Sequence, residues 1–94
     1  MKAAIELGRK EATPAVFEEI LYNPEFQEFV DSCLCRHASC DWGDISAEDK
    51  ALNDLAAKYG GERVISAYNN GKLSIRIITE SDRSVTTVFF PIEY

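Results

Sequence analysis

Three stretches of this chain carry apolar residues at helical spacing, and the stretches after them alternate apolar and polar residues as strands do. Thr13-Pro14 supplies an N-cap followed by proline at the first helical position, opening a helix through Val16, Phe17, Ile20 and Leu21. Asn23-Pro24 repeats the device, and Phe26, Phe29, Val30 and Cys33 then share one face of a second helix. Asp41-Trp42-Gly43-Asp44 interrupts, after which Ser46 with Asp49 forms a capping-box pattern for a third helix. Its expected buried stripe is Ala51, Leu52, Leu55 and Ala56, and Gly60-Gly61 stops it. From Glu62 to Asn69 the period changes to that of a strand, and Asn70-Gly71 predicts a hairpin with a type I′ turn. Leu73, Ile75 and Ile77 alternate with Ser74 and Arg76, and a turn at 80–84 precedes a last strand over 85–91. Residues 2–7 read as a short strand. The expected fold over residues 1–94 is one α+β domain. It has a short N-terminal strand, three helices, and a three-stranded antiparallel β-meander packed on the helices.

Composition adds direction to this picture. The 94 residues are 46% apolar and 28% charged, ordinary for a globular domain, with no repeat or low-complexity tract. Sixteen acidic residues against ten basic ones give a net charge of −6. That balance argues against broad, direct nucleic-acid binding, which needs a basic footprint. It suits docking on a basic protein surface, such as the channel of a nucleic-acid enzyme, and equally it suits a soluble acidic protein with no such role. The first eight residues carry charges within a short apolar stretch and show no secretory signal. No apolar run approaches the ~20 residues of a membrane span. The odd cysteine count excludes a fully paired disulfide framework, so a reducing cytoplasm is the expected compartment.

Chemistry concentrates between Cys33 and Cys40, where all three cysteines and the only histidine lie within eight residues. Cys33, Cys35, His37 and Cys40 make a Cys₃His set that suits a closed, structural Zn²⁺ site. On one continuous helix Cys33, His37 and Cys40 share a side while Cys35 points about 200° away from Cys33, using ~100° per residue. The four meet one ion only if the helix ends near Cys35 or His37; Asp41 or Asp44 would be substitute ligands. The competing readings are that the cysteines are small core residues with His37 satisfied by a neighbour, or that a cysteine is a nucleophile with His37 as its base.

Two polar runs complete the inventory. In Asp41-Trp42-Gly43-Asp44, Trp42 is expected to anchor the core with its indole N–H paired, Gly43 to supply an unusual backbone conformation, and Asp44 with Ser46 to cap a helix. Glu80, Asp82 and Arg83 sit in a turn whose residues favour local hydrogen bonds. A metal-dependent enzyme using His37, Asp41, Glu80 and Asp82 around an ion is the alternative. No phosphate loop, nucleophile elbow or zinc-protease helix is present.

The string Ala12-Thr13-Pro14, His37-x-x-x-Asp41-Trp42-Gly43-Asp44, Asp49 and Asn53, then Arg63-Val64-Ile65-Ser66-Ala67-Tyr68 and Ile78-Thr79-Glu80-x-Asp82-Arg83-Ser84-x-Thr86-Thr87, closes on Pro91-x-Glu93-Tyr94. Over nearly the whole chain it resembles a family of small bacterial proteins carried on plasmids, integrative elements and phages, often labelled "plasmid-related protein". His37 and Asp41-Trp42-Gly43 match that pattern, whereas Cys33, Cys35 and Cys40 stand where it has apolar or small residues. A zinc at these thiols would therefore staple a helix end in this member. Small acidic proteins of such elements resemble anti-defence factors such as anti-CRISPR proteins. The resemblance thus implies a non-enzymatic protein, in the cytoplasm of a bacterial host, that inhibits a host defence nuclease such as a CRISPR effector by occupying a basic surface. An adaptor or maintenance protein of the same element is the other reading it implies.

Overall fold

A computed structural model of the chain describes residues 4–93. The order is β1 (Arg9–Ala12), α1 (Pro14–Tyr22), α2 (Pro24–Ala38), α3 (Ala47–Tyr59), β2 (Val64–Asn69), β3 (Ser74–Thr79) and β4 (Val85–Phe89), followed by a 3₁₀ turn at Pro91–Glu93. The helix starts follow the sequence signals. The Val16 N–H donates to Thr13 Oγ1 at 3.3 Å, the Phe26 N–H to Asn23 Oδ1 at 3.2 Å, and the Asp49 N–H to Ser46 Oγ at 3.1 Å. Each satisfies one of the amide groups that a helix start leaves without a partner. Gly60, at φ +74°, ends α3.

The sheet order is β1-β4-β3-β2. β2, β3 and β4 form the expected antiparallel meander, and β1 extends it as a fourth strand running parallel to β4. The N-terminal strand therefore lies at 9–12 rather than 2–7. Residues 2 and 3 fall outside those described, and residues 4–7 approach the end of α2, with the Ile5 N–H donating to the Ala38 carbonyl at 3.0 Å. β1 reads Arg-Lys-Glu-Ala and has no apolar alternation. Its pairing is backbone work: the Arg9 N–H donates to Ser84 O at 2.9 Å and the Thr13 N–H to Val88 O at 3.1 Å. A short, charged edge strand of this kind also discourages pairing with foreign strands.

Registers Val64↔Thr79, Ser66↔Ile77 and Tyr68↔Ile75 put one set of β2 and β3 side chains on a single face, and Thr86 and Val88 of β4 join them. On that face Tyr68, Ile75, Ile77 and Val88 meet Val16 of α1 and Phe26, Val30 and Cys33 of α2 in the main core. Trp42, Ala56 and Val64 form a smaller cluster under α3.

Two sequence expectations are corrected. The hairpin after β2 spans Asn70 to Leu73, the Asn70 N–H donating to Leu73 O at 3.0 Å; only Gly71 in it has positive φ, so the turn is not type I′. In α3, Ala51, Leu52 and Leu55 are exposed, and the buried residues are Asn53 and Ala56. Polar anchors turn the helix this way: Asn53 Nδ2 donates to the Ile65 carbonyl at 2.7 Å, and Trp42 Nε1 donates to Asp54 Oδ1 at 2.8 Å.

Gly43 and Gly60 both have φ +74°, but a Cβ on Gly43 would lie 2.1 Å from Ala67 O, whereas one on Gly60 meets nothing within 4 Å. Gly60→Ala is therefore expected to destabilise by the backbone penalty of its φ +74°, ψ −172° conformation alone, about 1–3 kcal/mol, and Gly43→Ala by more, because the Ala67 carbonyl must also be displaced. Urea unfolding of the two variants measures the difference, and equal losses would contradict this account of Gly43.

Candidate functional site

His37 is the most constrained polar residue of the chain. It has no exposed surface, and its two ring nitrogens reach Ser66 Oγ (Nδ1, 2.6 Å) and Thr79 Oγ1 (Nε2, 2.9 Å). Thr79 Oγ1 lies 2.7 Å from Thr86 Oγ1, and Thr86 Oγ1 lies 2.7 Å from the Leu7 carbonyl oxygen. Hydrogen-bond logic orders the protons along this chain. A carbonyl only accepts, so Thr86 donates to Leu7, Thr79 donates to Thr86, and Thr79 accepts from Nε2–H. Burial, and secondarily the charge of Arg83, holds the imidazole pKa down to about 4, so the ring is neutral and Nδ1 accepts from the Ser66 hydroxyl. Among the described residues every buried side-chain nitrogen and oxygen has a partner. The Ser66–His37 contact has the length of a nucleophile–base pair, but both residues are fully buried, so no substrate reaches it.

The two polar runs are absorbed by architecture. Along the outer edge of β2, the Ala67 N–H donates to Trp42 O at 3.3 Å and Ala67 O accepts from the Asp44 N–H at 2.7 Å. The Asn69 N–H donates to Asp44 Oδ2 at 2.8 Å, and Ile65 O accepts from Asn53. Asp44 therefore caps a strand edge rather than a helix, and Gly43 allows the backbone to come this close. Trp42 is buried, its ring edge-on to His37 with centroids 5.4 Å apart. Arg83 donates to three carbonyls: Glu62 (2.8 Å) and Glu80 (3.1 Å) from one nitrogen, and Ala56 (3.0 Å) from another. It thereby clamps the end of α3 to the β3–β4 turn.

The thiols do not converge with the imidazole. α2 continues past His37 to Ala38 and closes with the Cys40 N–H donating to His37 O (3.1 Å) and the Asp41 N–H to Arg36 O (2.9 Å). This is a Schellman arrangement with Cys40 at φ +63° in the place glycine usually takes. Cys33 is buried in the main core, where burial pushes its thiol up to about 11. Cys35 is exposed and Cys40 half-buried. Both His37 nitrogens face the sheet, so a zinc at Cys33, Cys35, His37 and Cys40 requires one of those hydrogen bonds to break and Cys35 to swing round the helix.

Asp41, Glu80 and Asp82 do not gather at His37 either. Asp41 is exposed and receives both Arg36 Nε (2.7 Å) and Nη2 (3.1 Å), which holds its carboxyl below the usual carboxylate range. Glu80 and Asp82 are exposed in the turn, where Asp82 Oδ1 accepts the Ser84 N–H at 3.0 Å. Among the described residues no group of three or more His, Cys, Asp or Glu side chains is placed to hold a metal ion, and no helix is long and apolar enough to cross a membrane.

The remaining candidate is a surface. From Glu11 to Cys35 there are six carboxylates (Glu11, Glu18, Glu19, Glu25, Glu28 and Asp31) and no lysine or arginine. Their number equals the whole net charge of −6, the other ten acidic residues being matched by ten basic ones. All six are exposed, and among them α1 exposes Phe17, Leu21 and Tyr22, the last by 80%. The long-range cation here is Lys72, whose Nζ is 3.8 Å from Glu25, with both side chains in solvent. Whole-chain charge conceals this segregation; a running count of charge along the sequence reveals it. No family model, curated protein or solved structure matches the chain.

Two tests follow from the buried network. His37→Gln is expected to lower the unfolding free energy at pH 7 by about 2 kcal/mol, because the Ser66 donor loses its imidazole acceptor. The folded-state pKa of about 4 lies below the ordinary 6.5, so the unfolded chain takes up the proton first as pH falls. The stability advantage of wild type over the variant should then be full above pH 6.5 and shrink toward pH 4 in urea titrations. Overnight treatment with a chelator should leave the melting temperature of the purified protein unchanged; a fall of several degrees would point to a zinc staple at the thiols.

Proposed function

We propose that this chain is a non-enzymatic binding protein of the anti-defence type, which inhibits a host nuclease such as a CRISPR effector by laying the α1–α2 face on a basic surface of that enzyme. The observation that carries the reading is the segregation of the net charge into one exposed segment that also displays Phe17, Leu21 and Tyr22. Interfaces of this kind draw affinity from a few aromatic and aliphatic anchors, while the surrounding charges steer encounter and select the partner. A nuclease must keep its nucleic-acid channel basic, so a carboxylate-rimmed apolar patch competes with the phosphates for the same site.

The polar groups that the sequence singles out, buried and exposed, support the same reading by being engaged with one another. His37, Ser66 and Thr79 hold one another, Arg83 holds carbonyls, and Asp41 holds Arg36. The reading needs no metal.

The test is a pull-down and cleavage assay against candidate effector nucleases, repeated at rising salt. Binding and inhibition are expected for the native protein, weakening as salt rises. Glu18→Lys/Glu19→Lys and Tyr22→Ala are expected to abolish inhibition while leaving the circular dichroism melt unchanged. Inhibition that survives both variants, or no binding to any effector, would refute the proposal.

A further inference from the structure

The hairpin between β2 and β3 carries the one Asn-Gly pair of the chain, and its hydrogen bonds bear on the chemistry of that pair. A backbone nitrogen can attack the side-chain amide of the asparagine before it, an intramolecular reaction that gains from proximity. Of the four asparagines, Asn23 precedes Pro24, whose nitrogen has no proton to lose. Asn53 is buried within α3, its Nδ2 donating to the Ile65 carbonyl at 2.7 Å. Asn69 is followed by the Asn70 N–H, which closes the hairpin on Leu73 O at 3.0 Å. Asn70 is different. It is exposed, as is Gly71, and a Cβ added to Gly71 would meet nothing within 4 Å. With no Cβ and no neighbour in the way, the Gly71 backbone can rotate to bring its nitrogen onto the side chain.

The turn prepares the electrophile and restrains the nucleophile. Asn70 Oδ1 accepts the Lys72 N–H at 3.1 Å and the Leu73 N–H at 2.7 Å. Both donors sit where negative charge develops when a nucleophile adds to Cγ, the arrangement that stabilises an oxyanion. The Gly71 N–H donates to Asn69 Oδ1 at 2.7 Å, so that hydrogen bond must open before the nitrogen reaches Cγ. An exposed turn opens readily, so the restraint slows the attack without preventing it.

We propose that Asn70 is a site of spontaneous deamidation, assisted by the two hairpin amides that hold its carbonyl oxygen and limited by Asn69. Hydroxide takes the Gly71 amide proton, the nitrogen bonds to Cγ, and the C=O electron pair moves onto Oδ1. The intermediate collapses, the Cγ–Nδ2 bond breaks, and Nδ2 leaves as ammonia with a proton from water. Water then opens the cyclic imide, giving aspartate by attack at Cγ or isoaspartate by attack at the main-chain carbonyl. The balance is one water consumed, one ammonia released and one carboxylate gained. That carboxylate stands two residues from Lys72, whose Nζ is 3.8 Å from Glu25 of α2. This chemistry needs only the hairpin and is independent of the function proposed above.

The test is incubation of the native protein at mildly alkaline pH, followed by intact mass and by tryptic mapping. Cleavage after Arg63 and Lys72 releases residues 64–72 as one peptide. A gain of one mass unit is expected, placed at Asn70 by fragmentation. It should be absent from Asn70→Gln, whose longer side chain cannot close the five-membered imide. Asn69→Ala releases the nucleophile and is expected to convert several-fold faster with an unchanged melt, because the Asn69 side chain is exposed. If Asn69→Ala fails to fold, Asn69→Asp decides: it keeps the acceptor and adds charge to it, so conversion should slow. No mass gain in the native protein over weeks, a gain that persists in Asn70→Gln, or a rate indifferent to the Asn69 variants would overturn the proposal.

Discussion

A single neutral imidazole joins five segments of this chain. His37 belongs to α2, its hydrogen-bond partners lie on β2 and β3, and the relay continues through β4 to the carbonyl of Leu7 in the N-terminal segment. The arrangement works because each link has one donor and one acceptor in a fixed order, ending on a carbonyl that only accepts. Buried hydroxyls and a buried ring would otherwise be a liability, each unpaired group being destabilising by about 1–3 kcal/mol. Fully paired, they specify where the end of α2 sits on the sheet and which way the chain enters before β1.

The same logic of complete pairing explains the residues around it. An exposed strand edge invites association, and β2 has its outward groups occupied by Trp42, Asp44 and Asn53. Arg83 does for the end of α3 what Asp44 does for the edge of β2, presenting donors to carbonyls that the secondary structure leaves over. The dense polar motifs of the chain are thus framework, and the outer faces of the helices are what they leave free.

Those faces differ in charge. The α1–α2 side concentrates negative charge and exposed rings, which suits a basic partner and repels its own copy. The α3 side is more nearly balanced in charge and displays Leu52, Leu55 and Tyr59. The apolar stripe of α3 reached the surface because Asn53 and the Trp42–Asp54 contact set the rotation of the helix, and hydrogen bonds to a carbonyl and an indole are more directional than apolar contact.

By itself the amino-acid order determined the three helices, their caps at Thr13, Asn23 and Ser46, and the meander, because each of these rests on neighbours within a few residues. It also marked His37 as exceptional, though not for what. Only the tertiary structure decided that the histidine meets hydroxyls rather than thiols. Ser66 and Thr79 are 29 and 42 residues away, and their approach depends on strand register. The same holds for β1, whose charged residues pair through backbone alone, for Asp44 on the edge of β2, and for the outward turn of Leu52 and Leu55. Local pattern records which residues are apolar or able to cap; which partner each one reaches is set by contacts across the sheet.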